Sequence, residues 1–127
     1  MSSFRVDATS KPGILVLVLS GSPGADEMER FVAEHNRAIE SYRGAAYRVF
    51  CDLRDMQPLS PDAAAHFQRA KEFSKAQPNF RGSAVLVASS TVAMQHRRTS
   101  LEGGVLETEL ICDSEPACWS HLRRVHR

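Results

Sequence analysis

Apolar and polar positions change period several times along the chain, and each change marks an element. Phe4-Arg-Val-Asp-Ala8 alternates, the period of a strand with one covered face, and predicts a sheet edge. Past the compact turn Ser10-Lys-Pro-Gly13, Ile14 to Leu19 is an unbroken apolar run, as in a strand covered on both faces. The two segments are predicted to pair as an antiparallel hairpin. From about Ala25 to Arg43 the period lengthens: Met28, Phe31, Val32, His35, Ile39 and Tyr42 recur every three or four residues, which predicts a helix with one apolar stripe. Asp26, Glu27 and Glu29 suit the positive end of its dipole, and Gly44 supplies its stop.

The remainder alternates strand and helix. Tyr47 to Cys51 predicts a third strand, which leads through Asp52-Leu-Arg-Asp-Met-Gln-Pro-Leu-Ser60 into a second helix. That helix opens at Ser60 with Pro61 in its first turn, buries Ala63, Ala64, Phe67 and Ala70, and ends near Gln77 because Pro78 cannot continue it. Ala84 to Val87 predicts a fourth strand after Gly82, and Ser89-Ser-Thr91 offers caps for a third helix from about Val92 to Leu101, closed by Gly103-Gly104. Val105 to Cys112 reads as the last strand. Asp113-Ser-Glu-Pro116 then opens a terminal helix with Ala117, Cys118, Leu122 and Val125 on one side.

The order ββαβαβαβα belongs to the α/β class. Strands joined by a helix return parallel through a right-handed crossover, so the expected sheet is mixed and mostly parallel, five-stranded, with an antiparallel first edge strand and four helices. No repeat, low-complexity tract or linker interrupts residues 1–127, so one domain is expected.

This element order resembles the STAS domain, and three stretches resemble its bacterial SpoIIAA-like (STAS/SEC14) branch: Gly13-Ile-Leu-Val-Leu-Val-Leu-Ser-Gly21, Phe50-Cys-Asp-Leu-Arg-Asp-Met56 and Asp113-Ser-Glu-Pro-Ala-Cys-Trp119. The resemblance spans nearly the whole chain and rests on the order and spacing of these stretches. It implies a non-enzymatic signalling protein, an anti-sigma-factor antagonist or relative, that binds a protein partner through the second helix and its entry loop. The residues so implicated are Asp52, Arg54, Asp55, Ser60 and Asp62. In phosphorylated antagonists an Asp-Ser-Ser-Gly-like stretch stands at this helix entry. Aligned on Asp52-Leu53, the acceptor serine falls on Pro61, one place from Ser60, and Ser60 is already expected as the helix cap. The SEC14-like cousins imply the alternative of a carrier for a small apolar or lipid-like ligand, for which Ala63, Ala64, Ala65, Ala70, Ala88 and Ala93 would leave room. Many STAS-like domains pair, so the resemblance also admits a homodimer, although no long apolar face demands one.

Composition narrows the partners. Sixteen basic and fifteen acidic side chains leave a formal net charge of +1, which gives no reason to expect nucleic acid as a partner. Met1-Ser-Ser-Phe-Arg-Val-Asp7 lacks the apolar stretch of a secretory signal, and Ile14 to Leu19 is far too short to cross a bilayer, so a cytoplasmic protein is expected. No cofactor or metal is expected: Cys112, Cys118 and His121 do not have zinc-ligand spacing, and the odd set Cys51, Cys112, Cys118 reads as reduced thiols. Cys51 suits a buried strand end better than a nucleophile, His35 a hydrogen-bonded place on an apolar stripe. His96-Arg97-Arg98 and the terminal His121, Arg123, Arg124, His126 and Arg127 read as solvated basic faces, and Trp119 is expected either to cover the sheet's edge or to stay partly exposed, where it would mark a contact surface. Because ligands collect at the carboxyl ends of parallel strands, Ser22, Ser89, Ser90, Thr91 and Asp113 form a candidate ligand rim, each also placed to cap a helix.

Overall fold

A computed structural model describes residues 2–125, so His126 and Arg127 of the basic terminal cluster lie outside the described residues. The strands are β1 (Ser3–Lys11), β2 (Ile14–Gly21), β3 (Tyr47–Met56), β4 (Phe80–Val87) and β5 (Glu109–Cys112). The helices are α1 (Ala25–Glu40), α2 (Pro61–Ala76), α3 (Ser90–Gly103) and α4 (Glu115–Arg124). The element order ββαβαβαβα and the mixed five-stranded sheet are those expected from the sequence. β1 pairs antiparallel with β2, with Val6 opposite Leu17, and every later pair is parallel.

Strand order across the sheet equals chain order, β1-β2-β3-β4-β5. Three right-handed crossovers stepping in one direction must all pass over the same face, so α1, α2 and α3 share it. α4, which follows the last strand, is left to cover the other. Strand alternation matches this division. Leu15, Leu17, Leu19, Val49, Cys51, Leu53, Val85 and Val87 join Met28, Phe31, Ile39 and Phe67 in the larger core. Val16, Phe50, Ala84 and Leu86 meet Cys118 and Leu122 of α4 in a smaller one.

Several boundaries differ from those expected. β3 continues through Asp52-Leu-Arg-Asp to Met56 because Leu53 and Met56 still point into the core, with a bulge that brings Ser20 opposite Asp55. β4 begins at Phe80 and passes straight through Gly82, whose φ of +145° brings it against β5's approach: a Cβ there would stand 2.8 Å from the Thr108 carbonyl. α3 includes Gly103 and stops at Gly104, which takes the left-handed cap conformation. The last strand is half the expected length, since Val105 is drawn into the core and Leu106–Thr108 turn as a short 3-10 helix.

His35 is buried on α1 between Phe31 and Phe73, with Nδ1 2.8 Å from Asn36 Oδ1. Burial pushes its pKa down to about 4. The folded protein holds this imidazole neutral while the unfolded chain takes up a proton below its ordinary value, so stability falls as pH drops from 6.5 towards 4. A shift of that size corresponds to about 3 kcal/mol. Urea unfolding at about pH 7 and about pH 4.5 should show a loss of at least this order, since buried His96 is held neutral in the same way, and His35→Leu should reduce the slope between them.

Candidate functional site

Between β3 and α2 the chain crosses the top of the helical face, and local bonds fix its path. Ser60 caps α2, its Oγ accepting from the Ala63 amide at 3.2 Å, and Pro61 occupies the first helical position. One residue earlier, Leu59 is clamped by α3: its amide donates to Gln95 Oε1 and its carbonyl accepts from Gln95 Nε2, both at 2.8 Å. The entry loop and α3 are therefore tied together. Between them and α2 lies an open groove of about 650 Å³, with Leu59, Pro61, Ala64, Ala65 and Met94 as apolar lining and Arg98 and Glu102 among its polar edges. Met94 is 67% exposed, and Leu101, seven residues further along α3, is 66% exposed. Two turns of helix bring these large apolar side chains nearly onto one face.

Beneath the groove α3 is held by polar groups. Its buried residues are Val92, His96, Thr99, Ser100 and Gly103, only one of them a large aliphatic. Lys71 of α2 reaches across with Nζ to Ser100 Oγ, to His96 Nδ1 at 3.3 Å and to Glu109 Oε1 at 3.4 Å. Ser100 also donates to Glu109 Oε1, and Glu109 Oε2 accepts from Ser83 at 2.8 Å. The Lys71 and Glu109 side chains are 7% and 3% exposed, so α2, α3, β4 and β5 meet at a desolvated ion pair. Burial and the Lys71 ammonium hold His96 neutral, its pKa well below the ordinary value, and Nε2 is buried without a partner. The small space beside the pair, with Cys51, Phe67 and Ser74 in its lining, measures about 30 Å³, room for one water and not for an apolar ligand. Cys51 is buried there and desolvation pushes its thiol pKa up, which suits packing rather than nucleophilic work.

The residues singled out from the sequence fall in separate places. Ser60 and Asp62 are exposed at the start of α2 beside the groove. Asp52 and Arg54 are not in the entry loop; they lie on β3, paired by two bonds of 3.0 and 2.7 Å. Arg54 reaches on to Glu115 of α4 at 3.6 Å, which puts the cluster towards the α4 face. The bond from Arg54 lowers the pKa of Asp52. Asp55 is exposed near the end of the same strand. Of the rim residues, Ser89, Ser90 and Asp113 line one polar cleft of about 570 Å³ with Arg97 and Cys112, whereas Ser22 and Thr91 are exposed outside its lining. Ser89 caps α3. Sequential strand order contains no reversal, so the crevice that a switch point provides in doubly wound sheets does not arise here.

Sequence reasoning passed over Lys71, Gln95, Met94, Leu101 and Glu109. Lys71 and Ser74 continue the Ala63, Phe67, Ala70 stripe of α2, which was the available signal. Trp119 is half-buried, stacked on Phe50 at 4.4 Å with Lys11 Nζ 5.2 Å from its ring centre. His121 meets the Thr108 carbonyl at 3.1 Å, while Arg123 and Arg124 are exposed. Among the described residues no group of three His, Cys, Asp or Glu side chains could hold a metal ion, and no helix is long and apolar enough to cross a membrane.

The α2–α3 distance depends on one missing side chain. A Cβ on Gly103 would stand 2.9 Å from Lys71 Cβ. Gly103→Ala should push α3 outward, lowering stability by about 1–3 kcal/mol despite the better helix propensity of alanine, as equilibrium unfolding would measure.

Comparison with known proteins gives the fold its place. No protein-family model matches the chain, and no curated protein does. Among solved structures, an uncharacterized protein of the DUF3478 family with a SpoIIAA-like fold from Shewanella loihica superposes with a TM-score of 0.66 at 11% identity, over 94% of this chain and 91% of that one. An anti-sigma factor antagonist from Mycobacterium paratuberculosis superposes with a TM-score of 0.63 at 13% identity, over 100% of this chain and 96% of that one. At these identities the likeness is one of fold, and it agrees with the STAS-like resemblance carried by the order of elements: the chain has a SpoIIAA-like fold.

Proposed function

We propose that this domain is a non-enzymatic regulatory module that binds a protein partner through the α2 entry loop and the groove between α2 and α3. The observation that carries the reading is the groove itself, with its apolar lining, the exposed Met94 in that lining and an entry loop clamped to α3 by Gln95; the exposed Leu101 lies beyond the lining on nearly the same side of α3. Exposed apolar surface edged by charges of both signs is the usual composition of a protein-binding patch. The anti-sigma factor antagonist that shares the fold is a protein whose name implies a protein partner, and it supports the same reading by analogy of fold.

Ser60 and Asp62 lie where such a partner would cover them. A phosphate on Ser60 would place about two negative charges at the N-terminus of α2, tolerated by the helix and repulsive to an acidic partner. The carrier alternative has weaker support, because the small space under α2, beside Lys71 and Glu109, holds only one water.

The test is a photo-crosslinking residue placed at position 94 and, as a control on the other face, at position 54. Position 94 should capture one distinct protein in the native host and position 54 should not. Leu101→Asp should weaken binding of that protein by at least about tenfold while leaving the melting transition in place. Capture from position 54 alone, or a crosslink from 94 only to a second copy of the chain, would contradict the proposal.

A further inference from the structure

The terminal part of the fold brings together two thiols that six positions of sequence separate. Cys112 ends β5 and Cys118 lies at the end of the first turn of α4, and their sulfurs are 3.6 Å apart, in van der Waals contact. They differ in access. Cys112 is half-buried and lines the polar cleft with Ser89, Ser90, Arg97 and Asp113, whereas Cys118 is 0% exposed, packed between Phe50, Leu86 and Leu122. A reagent arriving from solvent therefore meets the Cys112 sulfur first and finds the second directly behind it. Disulfide formation requires the sulfurs to close by about 1.5 Å, a distance within reach of side-chain rotation. The Asp113-Ser114 link between strand and helix can follow, since it is fixed mainly by the Ser114 cap and by a weak bond from Cys112 Sγ to the Ser114 carbonyl at 3.4 Å.

We infer that Cys112 and Cys118 are a thiol–disulfide modification site, oxidised by a peroxide that reaches the half-buried Cys112 from solvent. The Cys112 sulfur attacks one peroxide oxygen, the O–O bond breaks, and Cys112 becomes a sulfenic acid with release of one water. The Cys118 sulfur then attacks the Cys112 sulfur. The S–O bond breaks, the S–S bond forms, and the departing hydroxide takes the Cys118 proton as a second water. Two electrons pass from the two thiols to one peroxide. Burial and the neighbouring Cys112 raise the Cys118 pKa to about 12, in keeping with its acting second. The site lies apart from the α2–α3 groove and does not rest on the partner proposal. Its product would staple the start of α4 to the end of β5 and reposition Trp119, the single tryptophan, which stacks on Phe50 next to Cys118.

Hydrogen peroxide is added to the folded wild-type chain, free thiols are alkylated after denaturation, and the chain is cut with trypsin. Arg98 and Arg123 bound a single peptide holding both cysteines, while Cys51 falls in another and serves as the buried control. The 99–123 peptide should appear unalkylated and about 2 Da lighter, reversibly with dithiothreitol, together with a change in Trp119 emission, while Cys51 stays alkylated. Cys112→Ser, at a half-exposed position, should slow oxidation of Cys118 at least about tenfold. Three results would overturn the inference: oxygen adducts of about 16 or 32 Da on Cys112 without the lighter peptide, a disulfide linking two chains, or Cys118 oxidising at an unchanged rate in Cys112→Ser.

Discussion

The buried pair of Lys71 and Glu109 is the constraint on which the arrangement of the helical face depends. α1 and α2 can dock by area alone, through Met28, Phe31, Ile39, Ala63, Phe67 and Ala70. α3 cannot, because apart from Val92 its inner side is histidine, threonine, serine and glycine. What it offers the core is a set of hydrogen-bonding groups, of which His96 and Ser100 gather around the Lys71 ammonium and Ser100 joins that ammonium to the Glu109 carboxylate. A desolvated charge without its counter-ion is severely unfavourable, so the pair enforces one position of α3 relative to α2 and β5. The groove above inherits its width from that position, and the Gln95 clamp passes it on to the α2 entry loop.

Topology assigns different work to the two faces of the sheet. Three crossover helices on one face make a thick layer with an outer groove and a polar network inside. The other face has α4 alone, held by Cys118 and Leu122, by the Phe50–Trp119 stack, by Arg48 donating to the Leu122 carbonyl at 2.8 Å and by the Arg54–Glu115 pair. A change on the α4 side can therefore leave the groove intact, and a change at the groove can leave α4 intact. Asp52 and Arg54, which the resemblance grouped with Ser60 and Asp62, belong to the first of these regions.

Much of the fold was legible in the sequence because strong local signals coincide with tertiary demands. The Ile14 to Leu19 run is a central strand, Ser60 and Pro61 start α2, and the stripe from Met28 to Ile39 is the buried side of α1. The errors occur where packing overrides local pattern. Gly82 reads as punctuation, yet it is the place where β4 must pass close to the Thr108 carbonyl. Val105 reads as strand and instead fills the core ahead of a turn. The site was less legible than the fold. Ser60 could be found because a cap is a local event, but the Lys71 to Glu109 bond spans 38 positions and the Cys112 to Cys118 contact joins two different elements. Neither has a spacing rule by which to be recognised.

The measurement that tests this account most directly is a double-mutant cycle on Lys71→Met and Glu109→Gln, followed by chemical denaturation. Each single change should cost about 3–5 kcal/mol, since it strands a buried partner, and the double change should cost well under the sum, with a coupling of at least about 1.5 kcal/mol. Hydrogen exchange in α3 should rise in each single variant and recover in part in the double. Additive losses, or single variants as stable as the wild type with α3 unchanged, would contradict the claim that this ion pair positions α3 and, through it, the groove.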